Sequence, residues 1–539
     1  MTTTLSHSHG PDRPLLELTI GDLLARTAGR YPDRLAVASR HQSRRMTWAE
    51  LSDAADHVAR GLWSLGIRHG DRVGLWSTNC IEWIMMHMGC ARAGAALVNV
   101  NPAYRSHELQ FTLTRSRMKA LFLWHADKHA NYQDILERAR HGLKLELQHA
   151  IYFDSPEWPA LLDAQGSLPD RVDVNDIANI QYTSGTTGLP KGVLLTHHNV
   201  VNNGQFLAQG FHYDEQDRIV VPVPLFHCFG CVIGTMSALN SGAAILLPNW
   251  TFDAHAVLSA IHEERATSVY GVPAMYVAEF GQPDFHSFDF SSLRTGMMSG
   301  APCPIELMKR VLNEMHIREL VIAYGQTETS PVVTMSDAGD SIEVRVNTVG
   351  RAMPQTEIKV LSGTGETAPL GEQGEICVRG YALMKGYDGD PAGTALVIQP
   401  DGWLKTGDLG MMREDGCLRI TGRSRDVIIR GGENIYPREV EEFLYTHPKV
   451  GEAQVVGIPN QRLGEIVVAW IRLRPGQEAT EEEIRDWCQG QIAYYKVPEH
   501  VRFVTEFPAT LSGKIQKYKI REFEIEARGL QAVAREATA

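Results

Sequence analysis

The feature that most constrains the fold is a repeated alternation of apolar strands with helices. Residues 72–76 have the pattern of a buried strand, residues 79–93 that of a helix capped by Asn79, and residues 96–100 that of the next strand. Further strands are predicted at 177–182, 219–224, 243–247, 267–271 and 320–323. Strands that alternate with helices form parallel sheets covered by helices. The sequence therefore predicts an α/β fold built on mostly parallel, helix-covered sheets.

The pattern changes after residue 345. Residues 357–360, 374–379 and 416–421 alternate polar and apolar side chains between glycine-rich turns, which is typical of antiparallel strands. Further on, a helix is expected to begin at Pro437. A strand near 466–473 and a helix near 480–490 would follow it. The predicted divisions are a large N-terminal domain over 1–422 with a β-barrel-like subdomain at 345–422, a hinge at 423–426, and a small mobile α/β C-terminal domain over 427–539.

The charge balance and the cysteine content exclude several classes of function. The 539 residues include 52 Lys and Arg and 64 Asp and Glu, which gives a net charge of −12. A protein that binds nucleic acid or anionic membranes would normally be basic, so neither partner is expected. The 8 cysteines are sparse, which argues against a disulfide scaffold and favours a reducing, cytoplasmic location.

No integral membrane segment is predicted. Residues 1–13 lack the apolar core of a signal peptide, and we expect a polar tail there. Residues 219–252 contain no Asp, Glu, Lys or Arg, but prolines and glycines interrupt them. Because a membrane-spanning helix needs about 20 continuous apolar residues, we expect a buried strand, short helix, turn and strand instead. An uncharged wall beside an apolar ligand is a further interpretation.

The strongest chemical signal is the segment Thr183-Ser184-Gly185-Thr186-Thr187-Gly188-Leu189-Pro190-Lys191-Gly192, which follows a predicted strand. Glycines let backbone N–H groups approach an anion, hydroxyl groups add donors, and the lysine adds positive charge. The composition therefore predicts a phosphate-binding loop. It differs from a Walker loop, because Lys191 lies between Pro190 and Gly192 and does not open a helix. An ordinary turn rich in Gly and Thr is the alternative.

This segment resembles the AMP-binding signature of the adenylate-forming superfamily, which includes acyl-CoA synthetases, luciferases and the adenylation domains of peptide synthetases. Other segments resemble the superfamily's motifs in the expected order, so that the resemblance extends over residues 20–525. These segments are 224–230, 324–328, 406–408, 422–423, 431–434 and 512–515. The chain is most similar to the bacterial fatty-acyl and medium-chain acyl-CoA ligases, which make an acyl-adenylate from ATP and transfer the acyl group to coenzyme A.

The resemblance implies roles for individual residues. The glycine-rich loop would bind the β- and γ-phosphates of ATP, Thr327 would donate to the α-phosphate, and Glu328 would be the ligand of Mg²⁺. Asp408 would accept from the ribose hydroxyls with help from Arg423, and Tyr324 would stack on adenine. The implied ATP-binding residues are Thr183, Ser184, Gly185, Thr186, Thr187, Gly188, Lys191, Ser299, Gly300, Ala301, Tyr324, Gly325, Gln326, Asp408 and Arg423.

Lys514 is implied as the catalytic cation that bridges the acid's carboxylate and the α-phosphate, whereas a solvated lysine is the alternative. Lys191 belongs to the predicted large domain and Lys514 to the small one, so the small domain must close over the site for adenylation. In the family it then swings to a second pose, in which the thiol of coenzyme A attacks the adenylate. The small-domain and hinge residues implied at the cofactor site are Arg425, at the hinge, and Gly431, Gly432 and Glu433.

Several motif positions have more than one interpretation. Gly432 would line the pantetheine channel, or is a plain turn glycine. His227, implied as catalytic, could be a core histidine, a proton acceptor from the thiol of coenzyme A, or a gate of the acid pocket, and the family motif favours the gate. Cys228 and Cys231 have the CxxC spacing of redox or zinc sites. Without a second pair at suitable spacing, two buried small apolar residues are favoured.

The uncharged segment 219–252 bears on the identity of the acid. Amino-acid-activating relatives carry a carboxylate in this region, and a buried ammonium group without one would be strongly destabilised. The pocket wall is expected at 227–235, 271–275 and 332–333, with Gly230, Gly234 and Gly300 leaving space. We therefore expect a medium-chain fatty acid or a similar apolar acid. An aryl acid of the benzoate or cinnamate type is the nearest rival, and a carrier protein is an alternative acyl acceptor.

The expected enzyme is thus an AMP-forming acid–thiol ligase that uses ATP, Mg²⁺ and coenzyme A. A luciferase-like oxygenase and a non-catalytic nucleotide sensor are the alternatives from other classes. Nothing in the sequence demands an oxygen-reactive substrate, and a sensor would not need Lys514 beside Glu328 and Asp408. A homodimer is compatible with the sequence, which does not fix the oligomeric state.

Overall fold

The computed structural model describes residues 4–128, 130–166, 171–183, 190–301, 303–431, 433–510 and 513–531, with only the backbone of Arg425. Its strands are β1 (His7–His9), β2 (Leu35–Ser39), β3 (Arg44–Thr47), β4 (Arg72–Trp76), β5 (Ala96–Val100), β6 (Ala120–Leu123), β7 (His149–Tyr152), β8 (Ile177–Thr183), β9 (Lys191–Thr196), β10 (Arg218–Val220), β11 (Ala244–Leu247), β12 (Ser268–Gly271), β13 (Thr295–Ser299), β14 (Glu319–Gly325), β15 (Val332–Met335), β16 (Arg351–Ala352), β17 (Thr356–Leu361), β18 (Gly374–Gly380), β19 (Gly386–Tyr387), β20 (Leu404–Met412), β21 (Leu418–Arg423), β22 (Ile428–Arg430), β23 (Glu433–Ile435), β24 (Val450–Asn460), β25 (Gly464–Leu473) and β26 (His500–Phe503).

The helices are α1 (Ile20–Arg30), α2 (Trp48–Ser64), α3 (Ile81–Ala93), α4 (Ser106–Ser116), α5 (Tyr132–Arg140), α6 (Glu157–Leu162), α7 (His197–Gly210), α8 (Thr235–Ser241), α9 (Ala254–Glu264), α10 (Pro273–Phe280), α11 (Ile305–Glu314), α12 (Ile342–Asn347), α13 (Pro391–Val397), α14 (Pro437–Leu444), α15 (Glu481–Cys488) and α16 (Lys517–Ala527). A π-helix at Phe229–Gly234 runs directly into α8.

Two mostly parallel sheets form the large domain. One has seven strands in the order β19-β9-β8-β5-β4-β6-β7, and the other has nine in the order β16-β15-β14-β13-β12-β10-β11-β2-β3. Helix α3 packs against strands of both sheets, and 12 of its 13 residues are buried. A helix that is apolar on all sides is stable only inside a core, so α3 joins the two sheets. The predicted α/β fold class is confirmed.

A third sheet is antiparallel and has the order β1-β17-β18-β20-β21. Four of its strands are in the region where a β-rich subdomain was expected. The fifth, β1, corrects the prediction of a polar N-terminal tail, because His7–His9 pairs with β17 from His7 opposite Lys359 to His9 opposite Glu357. The His7 ring lies 3.2 Å from a Glu357 oxygen, so that cross-strand contacts hold this segment at the sheet edge.

A separate C-terminal domain follows β21. Its sheet has the order β23-β22-β25-β24, with β26 parallel to β25. Helices α14 and α15 contribute apolar side chains to one core of this domain, and α16 contributes Ile520 to the other. Helix α14 begins at Pro437 as predicted. The predicted strand near 466–473 and helix near 480–490 correspond to β25 and α15.

The uncharged segment 219–252 is buried and forms β10, the π-helix, α8 and β11, which confirms the predicted strand, short helix and strand. In the described ranges, no helix combines the length and the apolar character needed to cross a bilayer. One local prediction is wrong: the residue that caps α3 is Cys80, not Asn79. The amide of Asn79 donates to the Val223 carbonyl (3.0 Å) and accepts from Leu225 N–H (2.8 Å). Asn79 thereby fixes the chain just before the motif at 224–230.

Candidate active site

Asp408 forms the most highly connected acidic centre of the candidate site. It lies on β20, directly across from Arg423 on β21. Arg423 Nε donates to one carboxylate oxygen (2.9 Å), and the Tyr324 hydroxyl donates to the other (2.7 Å). Burial and the neighbouring Asp408 charge raise the pKa of Tyr324 well above its usual value, so its hydroxyl remains a donor. The three predicted nucleotide residues therefore form one cluster in which the carboxylate is held from both sides.

Thr327 and Glu328 begin a short 3-10 helix directly after β14. Thr327 is buried, with its hydroxyl oxygen 3.8 Å from the thiol sulfur of Cys228. Glu328 accepts a hydrogen bond from the Tyr387 hydroxyl (2.9 Å). The described part of the chain offers Glu328 no ion-pair partner. Thr327, the predicted donor to the α-phosphate, and Glu328, the predicted metal ligand, are thus neighbours, and Thr327 adjoins the motif at 224–230.

The candidate phosphate loop connects two antiparallel strands. Thr183 ends β8 and is paired with Lys191, the first residue of β9. Lys191 begins a strand and not a helix, which agrees with the expectation that this segment differs from a Walker loop. The Lys191 ammonium lies 4.6 Å from the centre of the Tyr387 ring. Five predicted phosphate ligands lie outside the described residues, namely Ser184, Gly185, Thr186, Thr187 and Gly188.

His227 is held at the start of the π-helix. Its Nδ1 accepts the N–H of Phe229 (3.2 Å), and its carbonyl accepts the N–H groups of Gly230 (2.9 Å) and Cys231 (3.0 Å). Burial, and then the positive charge of Lys514, lower the pKa of His227 from 6.5 to about 4. The ring is therefore neutral near pH 7, and with Nδ1 accepting, its proton is on Nε2.

Lys514 reaches this part of the large domain from the C-terminal domain. A turn positions it: Lys514 N–H donates to the Thr510 hydroxyl (3.1 Å), and Thr510 N–H donates to the Lys514 carbonyl (2.9 Å). Gly513 in this turn has φ +77°, and a Cβ atom there would lie 2.5 Å from Val272 Cγ2. Only glycine fits such an approach. The small domain is therefore docked on the large one with Lys514 near His227.

The turn at Ser299–Ala301 adjoins the same contact. The Ser299 hydroxyl donates to the Ala323 carbonyl (2.6 Å), which ties the end of β13 to β14. Gly300 has φ +83°, and a Cβ there would lie 3.2 Å from Val272 Cγ1. Gly300 and Gly513 thus approach the two methyl groups of Val272. Gly325 ends β14, and Gln326 connects it to the 3-10 helix. Gln326 N–H donates to the Thr329 hydroxyl (3.1 Å).

The remaining predicted cofactor residues lie in or next to the small domain. Gly431, with φ +60°, turns the chain between β22 and β23, and its N–H donates to the Leu463 carbonyl (2.7 Å). Glu433 is exposed at the start of β23. The contacts described for Gly431 are to Leu463 of its own domain, and none of them joins it to Asp408. Gly432 and the side chain of Arg425 are outside the described residues.

Two glycines expected to leave space for the acid are instead packing positions. A Cβ at Gly230 would lie 2.3 Å from the Pro224 carbonyl oxygen, and one at Gly234 would lie 2.9 Å from Val221 Cγ1. These glycines let the π-helix pack closely on the chain that follows β10. Neighbouring protein atoms occupy the space that a side chain would fill at each glycine, so the prediction that Gly230 and Gly234 open the pocket is wrong.

The two CxxC cysteines are buried thiols. Burial raises the pKa of Cys228 to about 12 and raises that of Cys231 further. Cys231 accepts from the Gln181 amide (3.3 Å) and lies 3.7 Å from the Asn99 amide nitrogen. No group of His, Cys, Asp and Glu suited to a metal ion occurs among the described residues. The burial of the two thiols supports the interpretation of Cys228 and Cys231 as small buried side chains.

Sequence reasoning missed two residues at the site, Tyr387 and Asn79. Tyr387 contacts both Lys191 and Glu328, and Asn79 holds the chain that leads to His227. Tyr387 follows a glycine in a two-residue edge strand, and nothing in its local sequence marks it. A strand-length apolar pattern is absent there, so only the three-dimensional contacts reveal it.

Comparison with known proteins gives this site a family context. The family model described as AMP-binding enzyme matches residues 24–388, and that described as AMP-binding enzyme C-terminal domain matches residues 439–514. YngI of Bacillus subtilis (strain 168), provisionally named an acyl-CoA synthetase, is 45% identical over 96% of this chain and 99% of its own length. The mitochondrial medium-chain acyl-CoA ligase ACSF2 of Mus musculus is 41% identical over 96% of this chain and 89% of its own length.

Solved structures agree with this context. The anthranilate CoA ligase AuaEII in complex with anthranoyl-AMP has a TM-score of 0.85 at 29% identity, covering 95% of this chain and 98% of its own. ATP-bound MatB from Rhodopseudomonas palustris has a TM-score of 0.84 at 28% identity, covering 94% and 99%. The apo form of MatB has a TM-score of only 0.75 at the same identity and coverage. The present arrangement is therefore more similar to the ATP-bound form than to the apo form.

Proposed function

The chain belongs to the family of AMP-binding enzymes and is an AMP-forming acid–CoA ligase, and from this premise we propose that its acid is a medium-chain fatty acid activated between the two domains. The acid's carboxylate oxygen attacks the α-phosphorus of ATP, pyrophosphate leaves, and an acyl-adenylate forms. The thiol sulfur of coenzyme A then attacks the acyl carbon, the thiol proton is released, and AMP leaves.

The observation that carries the assignment of residues is the close packing of the Lys514 turn on the large domain, where a Cβ atom at Gly513 would lie 2.5 Å from Val272 Cγ2. The Lys514 charge there also lowers the pKa of His227. Two anions, a carboxylate and a triphosphate, must meet for the first step, and a cation between them lowers the repulsion. The small domain supplies Lys514 to the part of the large domain that contains His227 and Val272. We assign to it the stabilisation of the charge that develops between the acid and the α-phosphate.

The Asp408 cluster would bind the ribose, because a carboxylate already oriented by Arg423 and Tyr324 can accept from two neighbouring hydroxyls. Tyr324 would stack on adenine with its ring while its hydroxyl donates to Asp408. Lys191 and Thr183 would bind the β- and γ-phosphates together with the loop between them. The turn at Ser299, Gly300 and Ala301 would border the adenine.

Glu328 fits a role as ligand of Mg²⁺. Its carboxylate has no cationic partner among the described residues, and hard divalent ions favour carboxylate and phosphate oxygens. Because the described ranges contain no group of three or more His, Cys, Asp and Glu suited to a metal ion, ATP and water would supply the other ligands. When bound, Mg²⁺ would neutralise phosphate charge. Glu328 would hold the ion, and Lys191 would add a protein cation from β9.

The second half-reaction requires a different domain arrangement. We propose domain limits of 1–422 and 427–539 with a hinge at 423–426. The hinge proposal is supported by the short 3-10 helix Ser424–Asp426 between β21 and β22. Rotation there would withdraw Lys514 and present the hairpin of Gly431 and Glu433 to the pantetheine arm. Gly432 would line that channel, and His227 would act as the gate of the acid pocket between the two steps.

The acid is assigned from the wall of the pocket and from relatives. Residues 219–252 carry no formal charge and are mostly buried, so a substrate ammonium group would find no partner there. ACSF2, at 41% identity, is named a medium-chain ligase. The anthranilate ligase, which is named for an aryl acid, is 29% identical. A medium-chain fatty acid is therefore favoured, and an aryl acid is the competing substrate in the test.

The test is pyrophosphate release from ATP and Mg²⁺ with linear acids from acetate to palmitate, branched acids and aryl acids, each with and without coenzyme A. We expect a maximum at medium chain length and sustained turnover only with coenzyme A. A maximum at benzoate or cinnamate would overturn the substrate assignment. A single burst that coenzyme A does not prolong would point to a carrier protein as the acyl acceptor.

Two further proposals concern the protein in the cell. A reducing, cytoplasmic location is supported by eight free cysteines, seven of them buried. Because ACSF2 is named a mitochondrial protein, fractionation of the cells that make this protein is the appropriate test. A homodimer is the assembly we propose to examine, by light scattering coupled to size-exclusion chromatography.

A further inference from the structure

Tyr387 lies between the two charged side chains assigned to magnesium and phosphate. The Lys191 ammonium lies 4.6 Å from the centre of the Tyr387 ring, and the Tyr387 hydroxyl donates to Glu328 Oε1 (2.9 Å). The face of an aromatic ring attracts a cation, whereas its hydroxyl is a donor for a carboxylate. One side chain therefore contacts a cation with its face and an anion with its hydroxyl.

The position of Tyr387 is fixed by contacts that need no ligand. Strand β19 pairs with β9, and Tyr387 lies opposite Val193 of β9. Lys191 is the first residue of β9, two positions before Val193. Tyr387 N–H donates to the Thr394 hydroxyl (2.8 Å). The next residue, Asp388, donates its N–H to the Gly192 carbonyl (2.7 Å). The tyrosine is thus held on the edge of β9 from both directions along the chain.

A buried ion pair anchors this edge to the centre of the seven-stranded sheet. Arg72 on β4 donates to both carboxylate oxygens of Asp388 (2.7 and 2.8 Å). Arg115 adds bonds to the carbonyls of Asp388 (3.1 Å) and Gly389 (2.8 Å). Bidentate guanidinium–carboxylate pairs fix orientation as well as distance. The ring next to Asp388 is therefore a preformed part of the site.

Without the ring, opposite charges at Lys191 and Glu328 could approach and pair. A pair of this kind would neutralise both groups and remove them from their assigned ligands. We propose that Tyr387 is a positioning residue that keeps Lys191 and Glu328 apart and orients the Glu328 carboxylate, so that both remain available to magnesium-bound ATP. This proposal rests on the roles assigned above to Lys191 and Glu328.

The test measures binding, without turnover. The dissociation constant of the non-cleavable analogue α,β-methylene-ATP is determined by calorimetry with saturating Mg²⁺ and with EDTA. The constant in EDTA divided by the constant in Mg²⁺ is the coupling ratio between metal and nucleotide. Tyr387→Phe removes the hydrogen bond to Glu328 and keeps the ring. We expect it to lower the coupling ratio about tenfold, the usual effect of losing a partner of a metal ligand. Tyr387→Leu also removes the ring and should lower the ratio to that of Glu328→Gln.

The matched control is Tyr132→Phe, at the first residue of helix α5. It removes a tyrosine–carboxylate hydrogen bond of similar length, from the Tyr132 hydroxyl to Asp127 (2.7 Å). It should keep the wild-type coupling ratio. Wild-type coupling in Tyr387→Phe, together with loss of coupling in Glu328→Gln, would overturn the proposal about Tyr387. Wild-type coupling in Glu328→Gln would instead overturn the magnesium role of Glu328. Tyr387→Phe retains the ring packing, so the test remains decisive even if Tyr387→Leu does not fold.

Discussion

Lys514 of the small domain lies near His227 of the large domain, across the boundary between the two domains. The Lys514 charge is close enough to contribute to the low pKa of His227, although burial contributes more. The two residues are 287 positions apart in the chain (514 − 227). Rotation of the small domain would remove the charge from the histidine. If the small domain rotates as proposed, the electrostatic environment of His227 would report which pose the enzyme occupies.

The first prediction concerns Lys514. Lys514→Ala should slow acyl-adenylate formation by about 10²- to 10³-fold, the usual effect of removing a group that stabilises developing charge. Transfer of the acyl group from supplied acyl-adenylate to coenzyme A should change little, because Lys514 would have left the site in the proposed second pose. Pyrophosphate release measures the first step and thioester formation the second. The control is Lys519→Ala, which removes an exposed lysine of α16. Equal loss in both steps would contradict the assigned role.

The second prediction concerns the ribose site. Asp408→Ala removes the acceptor that Arg423 and Tyr324 orient, and it should raise the KM for ATP by about tenfold or more, since a hydrogen bond to a charged group is lost. The KM for the acid should stay close to that of the wild type. Deoxy-ATP provides the matched test on the ligand side, because it lacks one ribose hydroxyl. An unchanged ATP dependence of Asp408→Ala would exclude ribose contact.

Local patterns in the sequence were sufficient for much of the fold. The capping box of Thr47 and Glu50 predicts the start of α2, and both of its hydrogen bonds are present (3.2 and 2.7 Å). Pro437 likewise marks the first residue of α14. These signals act within one helical turn, so a single sequence contains them. The motif residues were found for a different reason, because their spacing resembles a known family.

The residues that sequence reasoning misplaced or missed depend on distant partners. Tyr387 contacts a glutamate 59 positions away, and Asn79 contacts a carbonyl 144 positions away. Gly230 and Gly234 were expected to make room for the acid, but neighbouring protein atoms occupy that room. A glycine in a sequence shows that space is needed, and only the packing shows whether a ligand or the protein fills it.

The third prediction concerns the hinge. Proline fixes φ and removes an N–H donor, so Arg425→Pro should restrict rotation between β21 and β22. Thioester formation should slow strongly, whereas pyrophosphate formation in a single turnover should be retained, because the present pose already has Lys514 near His227. Arg425→Ala, which preserves backbone freedom, is the control. If the proline variant slows adenylation as severely as transfer to coenzyme A, the hinge assignment is wrong.

The fourth prediction concerns stability in acid. Burial lowers the pKa of His87 to about 3, with a further effect of His197, and lowers the pKa of His197 to about 4. In the unfolded chain a histidine has a pKa of about 6.5. Their stabilising contribution is therefore complete above about pH 6.5, where both states are neutral, and it is lost as the pH falls toward about 4 because only the unfolded chain takes up protons. Each such histidine should lower the free energy of unfolding by ~2 kcal/mol at about pH 5.

His87→Leu isolates this effect. His87 lies on α3, and its side chain is buried. Its Nδ1 has no hydrogen-bond partner among the described residues, and its ring packs edge-on against Trp83, with 5.3 Å between the ring centres. Leucine keeps an apolar side chain there and cannot be protonated. Urea unfolding should give a smaller difference in unfolding free energy between about pH 7 and about pH 5 for this variant than for the wild type. His107→Leu, at an exposed position on α4, should keep the wild-type difference. An equal pH dependence in all three proteins would show that His87 does not contribute to acid sensitivity.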